Sequence, residues 1–465
     1  MSDDSRSRSM RKGACSRTVI VLTMAVAGAW SDLTSGQSTP DSHCQSEPFS
    51  GSEISLASAV DLALCRNAEI QSAAVAVRIR SAQLGQARSQ YWPTLNASAT
   101  ELRENTRYPG SELPSTNDTA TTLYGALTWR LFDFGARRAD VQAASRLLEA
   151  AFASEDATIQ RVLAAVVQAY FDAVAADALV QSKVEDEVLA SQTVVSAEHR
   201  SERGDAADSD VLQAKSAHAR SRLDLNRARA AYDKSLAVLG YSIGVPIGTN
   251  IQLPSESESP PPPEIERALT SWLDEARRSH PAIVAARADV EAARARANSV
   301  RAGGKPTIDF QANYYANGFP QQGLAPTRQR SGTVGIQITI PIFDGFLTRY
   351  KLHEAEATVS LKETALIDAE RLTLTDIVKA YTDATTAIGD LRDSQELLET
   401  VLASQRSSKR RYDSGAADIL ELLTVQSSLA DARQERARSV ADWRSARLRL
   451  LAASGLLMSV DLARP

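Results

Sequence analysis

Five histidines, a glycine-lysine-threonine string, a DFG triplet and an acid-rich turn are the residues whose types invite a chemical reading. Each fails on spacing. His43, His199, His218, His280 and His353 form no metal-ligand pattern. "GGKPT" (Gly303–Thr307) lacks the leading glycine of a phosphate-cradling loop. "DFG" at Asp133–Gly135 lacks the companion signatures of a kinase, and "DAADSD" (Asp205–Asp210) does not follow calcium-loop spacing. The expectation is a chain that is not an enzyme and carries no catalytic residue, no cofactor and no metal.

More informative is a joint that is written twice. "RLFDFG" (Arg130–Gly135) and "PIFDGF" (Pro341–Phe346) each follow an alternating, strand-like run and precede a very long helical pattern. Pro341 cannot donate to a sheet ladder, so it marks where pairing stops. Asp133 and Asp344 are placed to accept hydrogen bonds from the free N–H groups of the following helix. Gly135 and Gly345 tolerate backbone angles that a bulky residue resists. The joint steers a strand directly into a helix.

The totals narrow the class. The chain has 465 residues, 43% apolar and 23% charged, with a net charge of −5. That balance argues against a nucleic-acid partner, which needs a basic face. No apolar run approaches the ~20 residues of a helical membrane span. β-spans remain open. Arg11, Lys12 and Arg17 precede "TVIVLTMAVAGA" (Thr18–Ala29), the pattern of a secretory signal cleaved near Ala29; a buried N-terminal strand is the alternative. Cys15 precedes that core and no cysteine follows it directly, so the usual lipoprotein signal is missing. Cys44 and Cys65 either close a loop, worth roughly 3 kcal/mol in an oxidising compartment, or remain two buried thiols.

The chain also repeats itself. Arg66–Ala99 aligns with Ser279–Ala312 at an offset of about 213 residues, and from Leu131 to Gly244 the register holds ungapped at about 211. "VVQAYFDA" (Val166–Ala173) matches "IVKAYTDA" (Ile377–Ala384), and Gly204 matches Gly415. Between the halves, "LPSESESPPPPEIE" (Leu253–Glu266) reads as a stiff, solvated polyproline connector, or else a recognition motif. The expected division is a signal over 1–29, an N-terminal segment over 30–54, repeats over 55–250 and 265–457, a linker over 251–264, and a tail over 458–465.

Each half reads helix, strand, loop, strand, long helix, tight turn, helix. Leu95, Ala97 and Ala99 alternate with Asn96, Ser98 and Thr100; Ile308, Phe310, Ala312 and Tyr314 alternate with Asp309, Gln311 and Asn313. Leu123, Leu127, Trp129 and Leu131 correspond to Val334, Ile338, Ile340 and Ile342. Such runs fit either a half-buried soluble sheet or membrane strands, apolar to lipid and polar to a lumen. Aromatics at the strand ends (Tyr91, Trp92, Phe132, Phe134, Phe343 and Phe346) favour the membrane reading. Four strands cannot close a barrel, since known barrels start at about eight, so several copies must pool their strands.

The helical patterns are long. From Ala136 to Arg200 no proline or glycine intervenes, a length of roughly 100 Å. Leu374, Ile377, Tyr381, Ala384, Ile388, Leu391, Gln395, Leu398 and Leu402 form a heptad seam. The loops Arg107–Thr122 and Asn317–Ser331 are expected to face outside.

Together these residues resemble the TolC-type outer-membrane efflux family, from "SLASAVDLALCRNAEI" (Ser55–Ile70) to about Leu457. The twin joints carry the resemblance, with the twin turns "RGDAADSDVLQA" (Arg203–Ala214) and "SGAADILELLTVQ" (Ser414–Gln426). It implies a mixed α and β membrane protein of two repeats, each with two transmembrane strands and long coiled-coil helices. The implied assembly is a homotrimer: a 12-stranded β-barrel in outer-membrane lipid, continued by an α-helical barrel across the periplasm. Such a duct serves an inner-membrane ABC or proton-driven transporter through a periplasmic adaptor (membrane fusion) protein. Gly204 and Gly415 then turn the periplasmic tips. Asp210 and Tyr412 match family gate positions, Glu421 replaces an aspartate, and Ala417 stands where the best-known members carry an arginine. Copies of Asp210 and Glu421 ringing a narrow lumen favour cations. The absent lipoprotein cysteine leans toward type I protein (toxin) secretion, with small-molecule efflux the alternative. A periplasmic adaptor or a structural coiled coil is more distant, because neither uses both the strands and the repeat.

Overall fold

Long stretches free of proline and glycine, rich in alanine, fold as uninterrupted helices because nothing in them breaks the backbone ladder. The computed structural model describes residues 53–107, 109–110, 116–246, 248–254, 267–316 and 330–457. The signal region, Cys44, the four consecutive prolines, the second outer loop up to residue 329 and the C-terminal tail lie outside them. In the first repeat, helices α1 (Leu56–Arg66) and α2 (Ala68–Ser89) lead to strands β1 (Thr94–Thr106) and β2 (Thr116–Phe132). The 67-residue helix α3 (Ala136–Glu202) and helix α4 (Asp208–Ser242) follow. The second repeat runs α5 (Leu269–Ser279), α6 (Pro281–Gly303), β3 (Thr307–Ala316), β4 (Arg330–Thr339), α7 (Leu347–Asp413, again 67 residues) and α8 (Ile419–Ala453).

The strands form one antiparallel meander in the order β1-β2-β3-β4. Its centre joins the repeats, with Thr128 opposite Gln311 and Trp129 opposite Phe310. Register places Leu95 opposite Leu127, which in turn faces Ala312, and Ala312 faces Val334. One side of the sheet is therefore an apolar belt. Leu95, Leu123, Val334, Ile336 and Ile338 on it are exposed. The other side pairs hydroxyls and amides: the Tyr124 hydroxyl donates to Asn313 Oδ1 at 3.0 Å, and Gln311 Nε2 donates to Gln337 Oε1 at 2.6 Å. β2 already begins at Thr116, so the outer loop is shorter than Arg107–Thr122; the threonine-rich Thr116–Thr122 pairs with β1 and extends the ladder.

Next to the sheet the helices lie in the order α2-α3-α6-α7; towards the turns the order is α4-α3-α8-α7. Four helices per chain at each level is what two repeats of a hairpin deliver. In α7 the buried line runs Thr373, Ile377, Ala384, Ala387, Ser394, Gln405, Ser408 and Tyr412. The expected seam holds except at Gln395, which is exposed and donates to Glu399 at 2.6 Å while the smaller Ser394 turns inward. Seen over a long window, the helix drifts from strict heptads and the seam shifts by one residue.

One expectation needs correcting. α3 does contain an 18-residue window with mean hydropathy 1.6, enough by length and composition to cross a membrane, with 44% of the window buried. Its apolarity answers to packing: Leu163, Val166, Val167 and Tyr170 are buried, and Leu163 clusters with Val60 of α1 and Ala452 of α8. The connector expected from residue 251 is likewise anchored at its start. Ile251 is buried, and Gln252 O accepts from Ile54 N at 2.8 Å.

Where α5 crosses the hairpin, Trp272, Ala276, Ile377, Ala384, Trp443 and Leu450 form a buried cluster. Ile377→Ala is expected to destabilise the protein by about 2–5 kcal/mol, read as a lower thermal dissociation midpoint in detergent. Lys379→Ala, on the exposed face two residues on, should stay within about 0.5 kcal/mol of the parent.

Candidate functional site

Two regions concentrate unusual backbone and charge: the joints below the sheet and the tips of the helical hairpins. At each joint two successive residues are left-handed, one of them a phenylalanine. In the first they are Phe134 (φ 52°) and Gly135 (φ 89°); in the second, Gly345 (φ 66°) and Phe346 (φ 67°). The order of glycine and phenylalanine is swapped, yet the path is kept. A left-handed phenylalanine costs on the order of 1 kcal/mol or more, so something must hold it there.

The carboxylates do. Asp133 Oδ1 accepts from Gly135 N at 3.2 Å and Oδ2 from Arg137 N at 3.1 Å. Asp344 Oδ2 accepts from Thr348 N at 2.9 Å and from the Thr348 hydroxyl. Pro341 lies just past the last ladder pair, Thr307 with Thr339. The first joint is the more elaborate. Arg137 Nε donates to Asp133 at 2.6 Å, and Nη1 donates to the carbonyls of Arg130 at 2.7 Å and Gln90 at 3.4 Å. Nη2 reaches Leu131 O at 3.3 Å, and the guanidinium stacks on Tyr91, 4.7 Å from its ring centre. One buried arginine thus ties the end of α2, the end of β2 and the start of α3. Burial pulls the Asp133 carboxyl upward, but the hydrogen bonds and charge of Arg137 outweigh it and hold it below the usual carboxylate range.

At the tips, α3 and α7 end in matching turns. Gly204 (φ 81°) and Gly415 (φ 77°) follow the last helical turn. Asp205 N donates to Arg200 O at 2.9 Å, and Ala416 N to Arg411 O at 2.8 Å, the six-to-one closure of a helix C-terminus. Arg200 and Arg411 occupy equivalent places and act alike: Arg200 Nη2 donates to Asp205 O at 3.2 Å, Arg411 Nη2 to Ala416 O at 3.4 Å. Their second bonds differ. Arg200 Nη1 crosses to the other hairpin and donates to Tyr412 O at 2.6 Å, with the guanidinium 4.5 Å over the Tyr412 ring. Arg411 Nη1 stays on its own hairpin and donates to Glu421 Oε1 at 3.0 Å.

Tyr412 is buried with Ala197, Ala214, Ile419 and Leu422. Among the described residues its hydroxyl has no hydrogen-bond partner. Burial raises its pKa and the charge of Asp210 adds to the rise, while Arg200 opposes both. The structure therefore brings Tyr412 and Asp210 into one electrostatic neighbourhood. Glu421 is drawn instead to Arg411 and to Ser408, whose hydroxyl donates at 3.3 Å. Ala417 offers no charge, and the cation that reaches across to the other hairpin is Arg200. The repeat held a signal for both arginines: the offset that pairs Gly204 with Gly415 also pairs Arg200 with Arg411 and Asp210 with Glu421. Capping is unequal as well, since Asp418 accepts from Glu421 N at 2.8 Å while Ala207, at the N-cap of α4, supplies no side-chain cap. Cys65 is disulfide-bonded; Cys44 falls outside the described residues. Among the described residues, no group of three or more His, Cys, Asp or Glu side chains is placed to hold a metal ion.

A sequence profile described as outer membrane efflux protein matches residues 59–245 and 272–456, one match to each repeat. The chain belongs to that family. Protein CyaE of Bordetella pertussis is 35% identical over 407 residues, covering 87% of this chain and 85% of its own. The alkaline protease secretion protein AprF of Pseudomonas aeruginosa is 23% identical over 304 residues, covering 65% of this chain and 63% of its own. The CmeC outer membrane channel of Campylobacter jejuni shares the fold at 16% identity, with a TM-score of 0.76 over 90% of this chain and 92% of that one. This efflux-family chain is thus a TolC-type outer-membrane factor: its strands lie in the outer membrane and its helices extend through the periplasm. Its relatives are channels rather than enzymes.

Asp133→Asn is expected to cost about 3 kcal/mol, because it strands a buried guanidinium. The depressed folded-state pKa fixes the pH dependence. The parent's advantage is complete at neutral pH and is lost only as pH falls below the ordinary aspartate pKa of about 3.9. Thermal dissociation of parent and variant, compared from neutral to strongly acid pH, measures that gap and its closure.

Proposed function

We propose that this protein is the homotrimeric exit duct of a type I protein secretion system, receiving cargo from an inner-membrane transporter through a periplasmic adaptor. The observation that carries the duct is the four-stranded sheet with an exposed apolar belt, each strand pair running straight into a helix 67 residues long. β1 and β4 are open edges of that sheet. In hydrocarbon their unpaired N–H and C=O groups need partners, and the first and last strands of further copies supply them.

Support for a neighbouring copy also comes from comparing the repeats. Where α3 packs on α6 within the chain, Ala150 of α3 is 6% exposed and Ala292 of α6 is 3% exposed. Their repeat equivalents, Leu361 of α7 and Ile79 of α2, are 67% and 52% exposed. A second copy laying its α2 against this α7 covers both, repeating between chains the contact already made within one.

Secretion of protein is favoured by AprF, whose name records secretion of a protease. The signal over residues 1–29 exports the chain, and repeats over 55–250 and 265–457 build the duct around the 251–264 linker. In the periplasm the tips close. Arg200 holds the two hairpins of one copy together, Tyr412 packs beneath it, and Asp210 and Glu421 set the charge at the entry, with Gly204 and Gly415 shaping the turns that meet the adaptor.

Deleting the gene is expected to remove one large protein from the culture supernatant and leave drug susceptibility unchanged; an intact supernatant with raised sensitivity to unrelated compounds would establish small-molecule efflux instead. For the gate, Arg200→Ala loses two hydrogen bonds to carbonyls, worth about 1.5–3 kcal/mol each for a charged donor. Its single-channel conductance in planar bilayers should rise several-fold over the parent, whereas Arg203→Ala, an exposed neighbour, should leave it unchanged.

A further inference from the structure

Over the stretch backed by the apolar belt the polar face of the sheet carries no net charge; Glu104 and Asp118, opposite one another in the β1–β2 register, lie beyond that stretch on the same alternation. Across the stretch backed by the apolar belt, its residues are Thr94 to Leu102 of β1, Thr122 to Arg130 of β2, Thr307 to Tyr315 of β3 and Ser331 to Thr339 of β4, taken alternately. Hydroxyls, amides and small side chains fill it, typified by Thr128, Tyr124, Asn313 and Gln337. Two positions there are charged, Arg130 and Asp309, and they stand opposite one another in the β2–β3 register. Arg130 Nε donates to Asp309 Oδ1 at 2.9 Å. Asp309 Oδ2 also accepts from the Thr307 hydroxyl at 3.4 Å. The Asp309 side chain is 12% exposed and that of Arg130 is 48% exposed, so the arginine meets the bore and the acid lies behind it.

The repeat makes the placement specific. β2 and β3 form the seam between the two halves of one chain. At the corresponding seam between copies, repeat equivalence brings Pro341 and Asn96 to these positions, and neither is charged. A trimer therefore carries three such pairs. Splitting the pair would expose a ring of three like charges just above the joints, where Arg137 fixes the end of β2 by binding the Arg130 carbonyl at 2.7 Å.

We propose that Arg130 and Asp309 form a charge-cancelling element that makes the bore, over the stretch backed by the apolar belt, indifferent to the sign of its cargo, the property an extended polypeptide of mixed charge requires. This rests on the duct reading above. A bare ring of acids retains cationic segments and repels anionic ones, and a bare ring of arginines does the reverse. Paired at contact distance, the two charges present a dipole whose field falls off steeply. Cargo choice then stays with the transporter and the tip, and this stretch of the bore adds no filter of its own.

The test uses the full-length protein in planar bilayers, with hexaamminecobalt(III) as a trivalent cation and hexacyanoferrate(III) as a trivalent anion, each added separately to either side. Arg130→Gln uncovers Asp309 and should lower the half-blocking concentration of the cobalt complex roughly tenfold from the barrel side, with the tip-side value unchanged. Asp309→Asn should do the same for hexacyanoferrate. The double-neutral variant, Arg130→Gln with Asp309→Asn, and the charge swap, Arg130→Asp with Asp309→Arg, should both match the parent. Channels whose barrel-side block is unmoved by either single change overturn the inference, as does altered block in the double-neutral variant, which would make the pair act by shape. A parent that forms no channels overturns the duct reading itself, and this inference with it.

Discussion

A β-sheet edge in hydrocarbon is the constraint on which everything else turns. Every N–H and C=O along β1 and β4 must find a partner, and water is not available to supply one. The chain cannot meet that demand alone, because it contributes four strands in a simple meander. Oligomerisation is thus a condition of membrane insertion, and the internal repeat is its economical expression. Two strand pairs and two helical hairpins per chain mean that contacts within a copy and contacts between copies follow one design. The exposed Leu361 and Ile79 stand where their repeat partners are covered for this reason.

Repetition is not identity, and the two halves differ at their joints and at their tips. The first joint is locked by the buried Asp133–Arg137 pair, while the second relies on Asp344 and Thr348 near the surface. At the tips, Arg200 spans two hairpins and Arg411 stays on one. In the sheet, the seam within a chain has an ion pair and its counterpart between chains does not. Each departure breaks a sixfold-like pattern down to threefold, so that links within a copy and links between copies can differ in strength. A tip held unequally in this way can loosen at one set of contacts before the other.

Much of the fold was legible because its signals are long and redundant. Period-two strands, proline-free helices and an ungapped repeat each carried their element, and the joint residues were readable from backbone chemistry alone. Gln395 was misplaced because a heptad template does not follow the drift of a real helix over many turns. Thr116–Thr122 read as a loop because a polar strand tip has no apolar alternation to announce it. The tip was half legible: Asp210, Tyr412 and Glu421 were named, but Arg200 and Arg411 were not. An arginine in a charged helix end looks like ordinary solvated surface until the geometry shows that its guanidinium binds carbonyls across a turn. Arg137 was hidden for the same reason.

The hub at Arg137 has a mechanical meaning. α3 leaves the first joint as a rod of roughly 100 Å, so each degree of tilt at its root displaces the far end by about 2 Å. Play of only a few degrees would carry Arg200 out of reach of the Tyr412 carbonyl. The Arg200–Tyr412 contact at one end of the molecule therefore depends on the guanidinium clamp at the other, together with the helices that flank α3 between them. A substitution there would be felt as a strained contact roughly a hundred ångströms away.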